Sequence, residues 1–393
     1  MPALFCGACT ETDGPLTLTL SRKGRGDGGP GPMPTYQEHI ARILTARIAA
    51  GGMSGATVRI EREGKPLFEW AGGTREFGGQ GGPVTPDSVF LIASITKPMV
   101  TSTVAKLIES GHLDLDDPVA KHVPEFAANG KQGVTLRHCF THTSGLTDMV
   151  PADADLRKAL APMSSYVASA CGSRLLFEPG TDTRYQSAGI LMLAETAGRV
   201  TGRRIGDLLH DWVLAPAGIT TAHLGWRPEF GARNVAAKAV HGPDSATWDH
   251  NSAYWRDFGA PWGGVHSDAA GIARFLNVML NGGVSATGAR IFEPGTVRLL
   301  LSDQSAAMPG LSSEARLREG WGLGWRIIRQ GTGAWFGSAV PAGAFGHGGA
   351  TGTIAWADPK SRISLVLLSN GTLDGEGPAV AACSNAAATA LCA

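Results

Sequence analysis

Apolar residues recur along this chain in two rhythms, and their order outlines an architecture. Ile40, Ile43, Leu44 and Ile48 stand at helical spacing, and Gly51-Gly52 closes the run, which predicts a first helix beginning near Tyr36. Alternating or continuous apolar stretches at Ala56–Ile60 and Pro66–Ala71 predict two strands. A second helix is predicted from Ser94 to Ser110, stopped by Gly111. From about residue 111 to 234 the apolar segments are mostly helical and broken by Pro and Gly, with Ile190–Val200 among them. Strand patterns return in Thr351–Ala357 and Ile363–Ser369, and an Ala-rich helix closes the chain from about Pro378. Strands at both ends with helices between them predict one α/β layer (α+β class) built from both termini, plus an inserted, mainly helical domain. The expected boundaries are 34–110 with 235–393 for the α/β domain, and 111–234 for the helical one.

Residues 1–33 break the pattern. Ser21-Arg-Lys-Gly-Arg-Gly-Asp-Gly-Gly-Pro-Gly-Pro offers charge and backbone freedom but almost no apolar surface, so this segment is expected to be a disordered tail. It carries a literal G-x-G-x-x-G (Gly24, Gly26, Gly29) after the strand-like Leu16–Leu20. A dinucleotide site needs a helix to begin there, and Pro30 and Pro32 follow instead, so the motif is rejected.

Composition narrows the function classes. At 393 residues, with 43% hydrophobic and 17% charged, the chain is of globular type. Lys+Arg and Asp+Glu balance at 34 each, so no global field favours nucleic acid or an anionic membrane. No apolar run approaches the ~20 residues that span a bilayer. The first residues lack a basic region and a long apolar stretch, so no secretory signal is indicated, and a cytoplasmic location is expected. The six cysteines are scattered, and Cys6-x-x-Cys9 has no second pair, so reduced thiols are expected. A small neutral molecule is the expected partner, no cofactor is called for, and a homo-oligomer is compatible with the sequence.

The candidate chemistry starts at Ser94-Ile-Thr-Lys97, an S-x-x-K pattern. Positions i and i+3 of a helix share a face, which sets an amine beside a hydroxyl that is a poor nucleophile until a neighbour takes its proton. A helix N-terminus at the serine also aims N–H groups at developing negative charge. Taken alone, the pattern equally fits a capping serine and a solvated lysine. His138 and His142 stand at i and i+4 as a metal face would, but no further ligands stand at matching spacing, so no metal is expected. No G-x-S-x-G occurs, which excludes the usual nucleophile elbow.

The neighbouring segments decide between these readings. Val134-Thr-Leu-Arg-His-Cys-Phe-Thr-His-Thr-Ser-Gly-Leu146, Phe177-Glu-Pro-Gly-Thr-Asp-Thr-Arg-Tyr185-Gln-Ser187 and Phe345-Gly-His347-Gly348-Gly349-Ala350 resemble successive boxes of the class C β-lactamase family. Pro261-Trp-Gly-Gly264 and Trp321-Gly-Leu-Gly-Trp325 resemble its framework segments, so the likeness runs from about residue 36 to the C-terminus. That family holds β-lactamases, DD-peptidases, D-aminopeptidases and carboxylesterases. The resemblance implies a β-lactamase/transpeptidase-like fold with an antiparallel sheet flanked by helices. It also implies Ser94 as nucleophile with Lys97 and Tyr185 as proton-transfer partners. His347, Gly348, Gly349 and Ala350 become the third box, with the N–H groups of Ser94 and Ala350 as oxyanion hole.

How Lys97 and Tyr185 divide the work stays open at this point. A phenol ordinarily ionises near pH 10, and bringing it to ~7 needs roughly 4 kcal/mol. One ammonium ~4 Å away supplies about that at an effective dielectric near 20, and a protonated His347 would add to it. A neutral Lys97 acting as base, with Tyr185 as relay, fits equally.

Ser187 stands where β-lactamases carry the asparagine that holds a substrate amide. Its presence points to an ester, and serine carboxylesterase is the expected activity. β-Lactamase, DD-peptidase or D-aminopeptidase is the alternative, and a catalytically silent ligand-binding member the remoter one. Among ten tryptophans, Trp262 and Trp325, with Ser187, are the expected substrate-binding side chains. Trp262-Gly263-Gly264 competes for the third box but lies well upstream of the last strands, and reads as pocket wall.

Overall fold

Thr35 begins the first helix, α1 (Tyr36–Ala49), with a reciprocal cap. Its side chain accepts the Glu38 N–H, and the Glu38 carboxylate accepts the Thr35 N–H at 2.8 Å. This computed structural model describes residues 34–239, 242, 245–329 and 335–392. The expected tail, its glycine motif and the Cys6/Cys9 pair lie outside the described residues.

The chain then lays down β1 (Gly55–Arg62) and β2 (Lys65–Gly73) as a hairpin. The last third supplies β6 (Gly320–Trp321), β7 (Arg326–Ile327), β8 (Phe345–Gly349), β9 (Thr353–Asp358) and β10 (Ile363–Ser369). Together they form a seven-stranded sheet of order β2-β1-β10-β9-β8-β7-β6 in which every neighbouring pair is antiparallel. The two ends of the sequence meet where β1 pairs with β10, with Val58 opposite Leu367 and Ile60 opposite Leu365. A small second sheet joins β3 (Phe90–Leu91), β5 (Val265–Ser267) and β4 (His223–Leu224).

Both faces of the large sheet are covered, so β10 reads as a continuous apolar run rather than an alternation. Ile363, Leu365 and Leu367 face the layer made by α1 and the C-terminal helix Leu373–Leu391, with Val58, Ile60, Ile354 and Trp356. Val366, Leu368, Ala355 and Ala357 face the opposite cluster, which contains Phe275 of the helix Ala269–Leu280. That same cluster continues through α2 (Thr96–Glu109) into the helix Ala188–Thr201. Residues Thr35–Ala393 belong to one compact unit. Among the described residues no helix is long and apolar enough to cross a membrane. Cys139, Cys171, Cys383 and Cys392 are free thiols.

Two boundaries differ from the sequence expectation. The second helix is preceded by a single 3₁₀ turn, Ala93–Ile95, before α2 begins at Thr96. The closing helix starts five residues ahead of Pro378, because Thr372 caps it by accepting the Gly375 N–H. Glu376, in its first turn and buried, receives two hydrogen bonds from Arg47 of α1 at 2.9 Å each, which ties the terminal helices together. Replacing Glu376 with leucine is expected to lower stability by about 1.5–3 kcal/mol, the worth of hydrogen bonds to a charged group. A urea midpoint indistinguishable from wild type would show that the pair does not anchor these helices.

Candidate active site

The site is assembled around a strained turn. Ala93 has φ +46°, in the left-handed region that a non-glycine residue enters at a cost of order 1–3 kcal/mol. The flanking chain is tied down from two directions. The Thr351 hydroxyl donates to the Leu91 carbonyl at 2.7 Å and that of Thr353 to Ile92 at 3.1 Å. On the other side the Ile92 N–H donates to the Val265 carbonyl, and the Val265 N–H donates to Thr96 Oγ1, both at 2.9 Å. Ser94 therefore sits half-buried at the entry to α2, whose third residue, Pro98, occupies a position where the lost N–H is an orphan anyway.

Lys97 is one turn on and buried. Its Nζ lies 3.0 Å from Ser94 Oγ, donates to the Trp262 carbonyl at 2.9 Å, and stands 4.7 Å from the centre of the Tyr185 ring. Burial drives its amine down from 10.5 to about 7, against the pull of the exposed Asp148 carboxylate. Tyr185 responds the other way. Burial raises its phenol, opposed by a hydrogen bond with Ser94. A phenolate at Tyr185 near neutral pH is thus disfavoured, and of the two open readings burial favours the one with neutral Lys97 as base and Tyr185 as relay. His347 cannot help such a phenolate either: burial, reinforced by the Lys97 charge, lowers it to about 3, so its ring is neutral.

His347 lies in the middle of β8, where its Nδ1–H donates to the Gly348 carbonyl at 2.6 Å. This leaves Nε2 as a buried acceptor with no partner among the described residues. Gly348 and Gly349 complete the strand, and Ala350 begins the turn to β9. Gly349 has to be glycine, since a Cβ there would come within 2.4 Å of the Ile92 carbonyl and 3.2 Å of Ala93 Cβ. Gly349, which precedes Ala350, thus packs against Ala93, which precedes Ser94.

The three expected substrate-binding side chains fare differently. Ser187 is buried, and its N–H and hydroxyl both donate to Asp148 Oδ1, at 3.1 and 2.9 Å. Trp262 contributes its carbonyl to Lys97, while its ring packs 5.8 Å from Tyr166 and 5.9 Å from Phe258. Trp325 is a core residue and not a wall of the site: it is buried against Phe275 and Phe345 and donates its indole N–H to Ser102 of α2. The aromatic beside the site is instead Trp321, four residues earlier in the same segment, with its ring centre 6.0 Å from those of both Tyr185 and His347.

Sequence reasoning weighed His142 only as a metal ligand and did not single out Asp148. The short helix Leu136–Phe140 ends before His142, whose φ of +59° turns it away, so His138 and His142 do not share a helical face. His138 instead caps its own helix, accepting the Thr135 N–H at 3.1 Å. The His142 ring lies 4.9 Å from Tyr185 and edge-on to Trp321 at 4.1 Å, with Nδ1 accepting the Gln186 N–H. It braces the phenol from behind. The H-T-S-G segment was the available signal for His142. For Asp148 there was none, because its partner Ser187 is 39 positions away.

With this geometry in hand, comparison with known proteins is decisive at the level of family. The family model described as Beta-lactamase matches residues 40–389. The chain belongs to the β-lactamase family. It is similar to penicillin-binding protein 4 of Amycolatopsis lactamdurans, with 29% identity over 331 residues covering 81% of each chain. It is also similar to the esterase EstB of Burkholderia gladioli, with 26% identity over 82% of this chain and 88% of that one. The solved structure of a penicillin-binding protein homologue from Caulobacter crescentus superposes with a TM-score of 0.72 at 23% identity, covering 92% of this chain and 99% of that one. The β-lactamase family therefore accounts for the fold, the antiparallel sheet included, and makes this protein a serine hydrolase.

The position of Lys97 makes a pH dependence the direct check of its part. If its neutral amine takes the Ser94 proton, kcat/KM rises with pH through about 7 and is lost below, as the amine protonates. Asp148→Asn removes a charge that favours the protonated amine, so the acid limb is expected to move to lower pH. An acid limb that stays put in Asp148→Asn would separate this limb from Lys97. Tyr185→Phe deletes only the hydroxyl and is expected to lower kcat by about 10²–10⁴ with a much smaller change in KM. An equal loss on substituting Tyr166 or Tyr254, which bond to each other at 3.2 Å away from the serine, would show the partner to be misassigned.

Proposed function

We propose that this protein is a serine carboxylesterase acting on small or apolar carboxylic esters through an acyl-enzyme on Ser94. The observation that carries the proposal is the buried Lys97 amine, held 3.0 Å from Ser94 Oγ and depressed to about 7. A lysine in that state is a base at neutral pH without help from a phenolate.

Neutral Lys97 takes the Ser94 proton as Oγ attacks the ester carbonyl carbon. The resulting oxyanion lies between the N–H groups of Ser94 and Ala350. When the carbon–oxygen bond to the alcohol breaks, the Tyr185 hydroxyl gives its proton to the leaving alkoxide and takes one back from the Lys97 ammonium. Water then attacks the acyl carbon and loses a proton to the same pair, the bond from that carbon to Ser94 Oγ breaks, and the pair returns the proton to Oγ as the acid leaves.

The preference for esters over amides rests on what surrounds Ser94. The Ser187 hydroxyl is engaged with Asp148, so the position offers no amide side chain to hold a substrate amide. The neutral His347 supplies no cation for a carboxylate-bearing β-lactam or peptide terminus. The exposed Asp148 carboxylate also repels such an anion electrostatically. A β-lactam or D-alanyl peptide substrate is the competing reading, since one relative is named a penicillin-binding protein.

A substrate panel separates the two. Short p-nitrophenyl esters are expected to turn over far faster than nitrocefin or D-amino-acid amides, and Ser94→Ala to abolish ester turnover while the melting temperature holds. Comparable kcat/KM for ester and nitrocefin would overturn the ester assignment. Ester activity above a tenth of wild type in Ser94→Ala would remove Ser94 from the mechanism altogether.

A further inference from the structure

Tyr185 has no regular element to hold it. Residues 182–186 belong to neither helix nor strand, so the place of the phenol has to come from loop contacts. A proton relay needs its hydroxyl in a fixed position, since a misplacement of about 1 Å can cost about 10²-fold in rate. Several of those contacts converge on one residue. The His142 carbonyl accepts the Arg184 N–H at 2.9 Å, and its ring Nδ1 accepts the Gln186 N–H at 3.1 Å. His142 thus holds the chain on either side of Tyr185. The phenol between those two anchors meets the His142 ring, with centres 4.9 Å apart and planes at 33°.

His142 is itself immobilised. It is completely buried, and Trp321 packs against its ring at 4.1 Å while donating its own indole N–H to Glu319 at 3.1 Å. The neighbouring Thr143 and Gly145 carbonyls accept the Gly180 and Leu176 N–H groups at 2.8 and 2.7 Å. Segment 142–145 is therefore laced to the chain that leads to Tyr185. The φ of +59° at His142 is a conformation that side-chain-bearing residues rarely adopt. Such strain persists where the surroundings over-determine it, and it clusters at functional sites. A ring nitrogen that accepts an N–H carries no proton, so the hydrogen of this imidazole sits on Nε2. Burial, reinforced by the Lys97 charge, holds the ring well below its ordinary pKa and keeps Nδ1 bare.

We propose that His142 is a positioning residue for proton transfer: by gripping both flanks and the ring face of Tyr185, it fixes the place from which the phenol hydroxyl relays its proton. The inference rests on Tyr185 as relay and on nothing about which ester is cleaved. His142 acts through Tyr185 and not on the substrate.

A double-mutant cycle on the full chain separates positioning from folding. With ethyl butyrate as substrate, His142→Leu loses both ring and acceptor. It should lower kcat about 10- to 100-fold with KM within about threefold. His142→Asn should lose less, because its side-chain oxygen can stand where Nδ1 stands and asparagine accepts a left-handed backbone. In the Tyr185→Phe background no hydroxyl remains to position, and both substitutions should cost less than about twofold. A merely structural role would lower activity by the same factor in both backgrounds, and that result overturns the proposal. An unchanged kcat in both single variants overturns it too. If His142→Leu does not fold, His142→Asn carries the same cycle. A silent Tyr185→Phe would remove the relay itself and the proposal with it, an outcome distinct from a failure at His142.

Discussion

Removing the Lys97 amine from water is the constraint on which the rest of the site depends. Moving its proton affinity from 10.5 to about 7 corresponds to about 5 kcal/mol against the charged form, at 1.36 kcal/mol per pH unit. A desolvated amine of that kind needs partners in fixed places, and it has two: Ser94 Oγ and the carbonyl of Trp262. The same burial keeps Tyr185, His347 and His142 neutral, so Lys97 stands among one un-ionised phenol and two uncharged imidazoles. Asp148, anchored by Ser187, is the carboxylate whose charge opposes the effect of burial on Lys97.

Holding that arrangement requires two distant parts of the chain to meet. The turn Ala93–Ile95 is strained, and hydroxyls of Thr351 and Thr353 reach across from the β8–β9 region to the carbonyls of Leu91 and Ile92. The strand β5 grips the same segment from the other side through Val265. Gly349 permits the close approach that a Cβ would block. The seven-stranded sheet is thus more than a scaffold. Its register, fixed by pairing of β1 with β10 and β9 with β8, decides where Ala350 stands relative to Ser94.

The aromatic residues sort into two groups that look alike in sequence. Trp325 and Trp262 turn their rings into packed clusters, whereas Trp321, Tyr185, His142 and His347 form a ring-lined corner beside Lys97. Cluster membership follows from which face of a short strand or turn each ring leaves by. In a segment as short as Trp321–Trp325, interrupted by Gly322 and Gly324, periodicity carries no information about that.

By itself the sequence determined the strands β1, β2, β9 and β10, the helices around them and a layer built from both termini, because apolar period and length are local signals. That every strand pair is antiparallel was implied by the family resemblance and not by the apolar pattern, since runs buried on both faces suit a parallel sheet as well. The sequence also determined the Ser94–Lys97 pair, because a spacing of three near a helix start is local geometry. The state of that pair was decided only by the tertiary structure. Whether a lysine is ammonium or amine depends on how much water reaches it, and the atoms that exclude water come from Trp262 and Tyr185, far along the chain. Asp148 with Ser187, and the exclusion of Trp325 from the site, belong to the same class. They are contacts between segments, and no local pattern encodes which segment a side chain will meet.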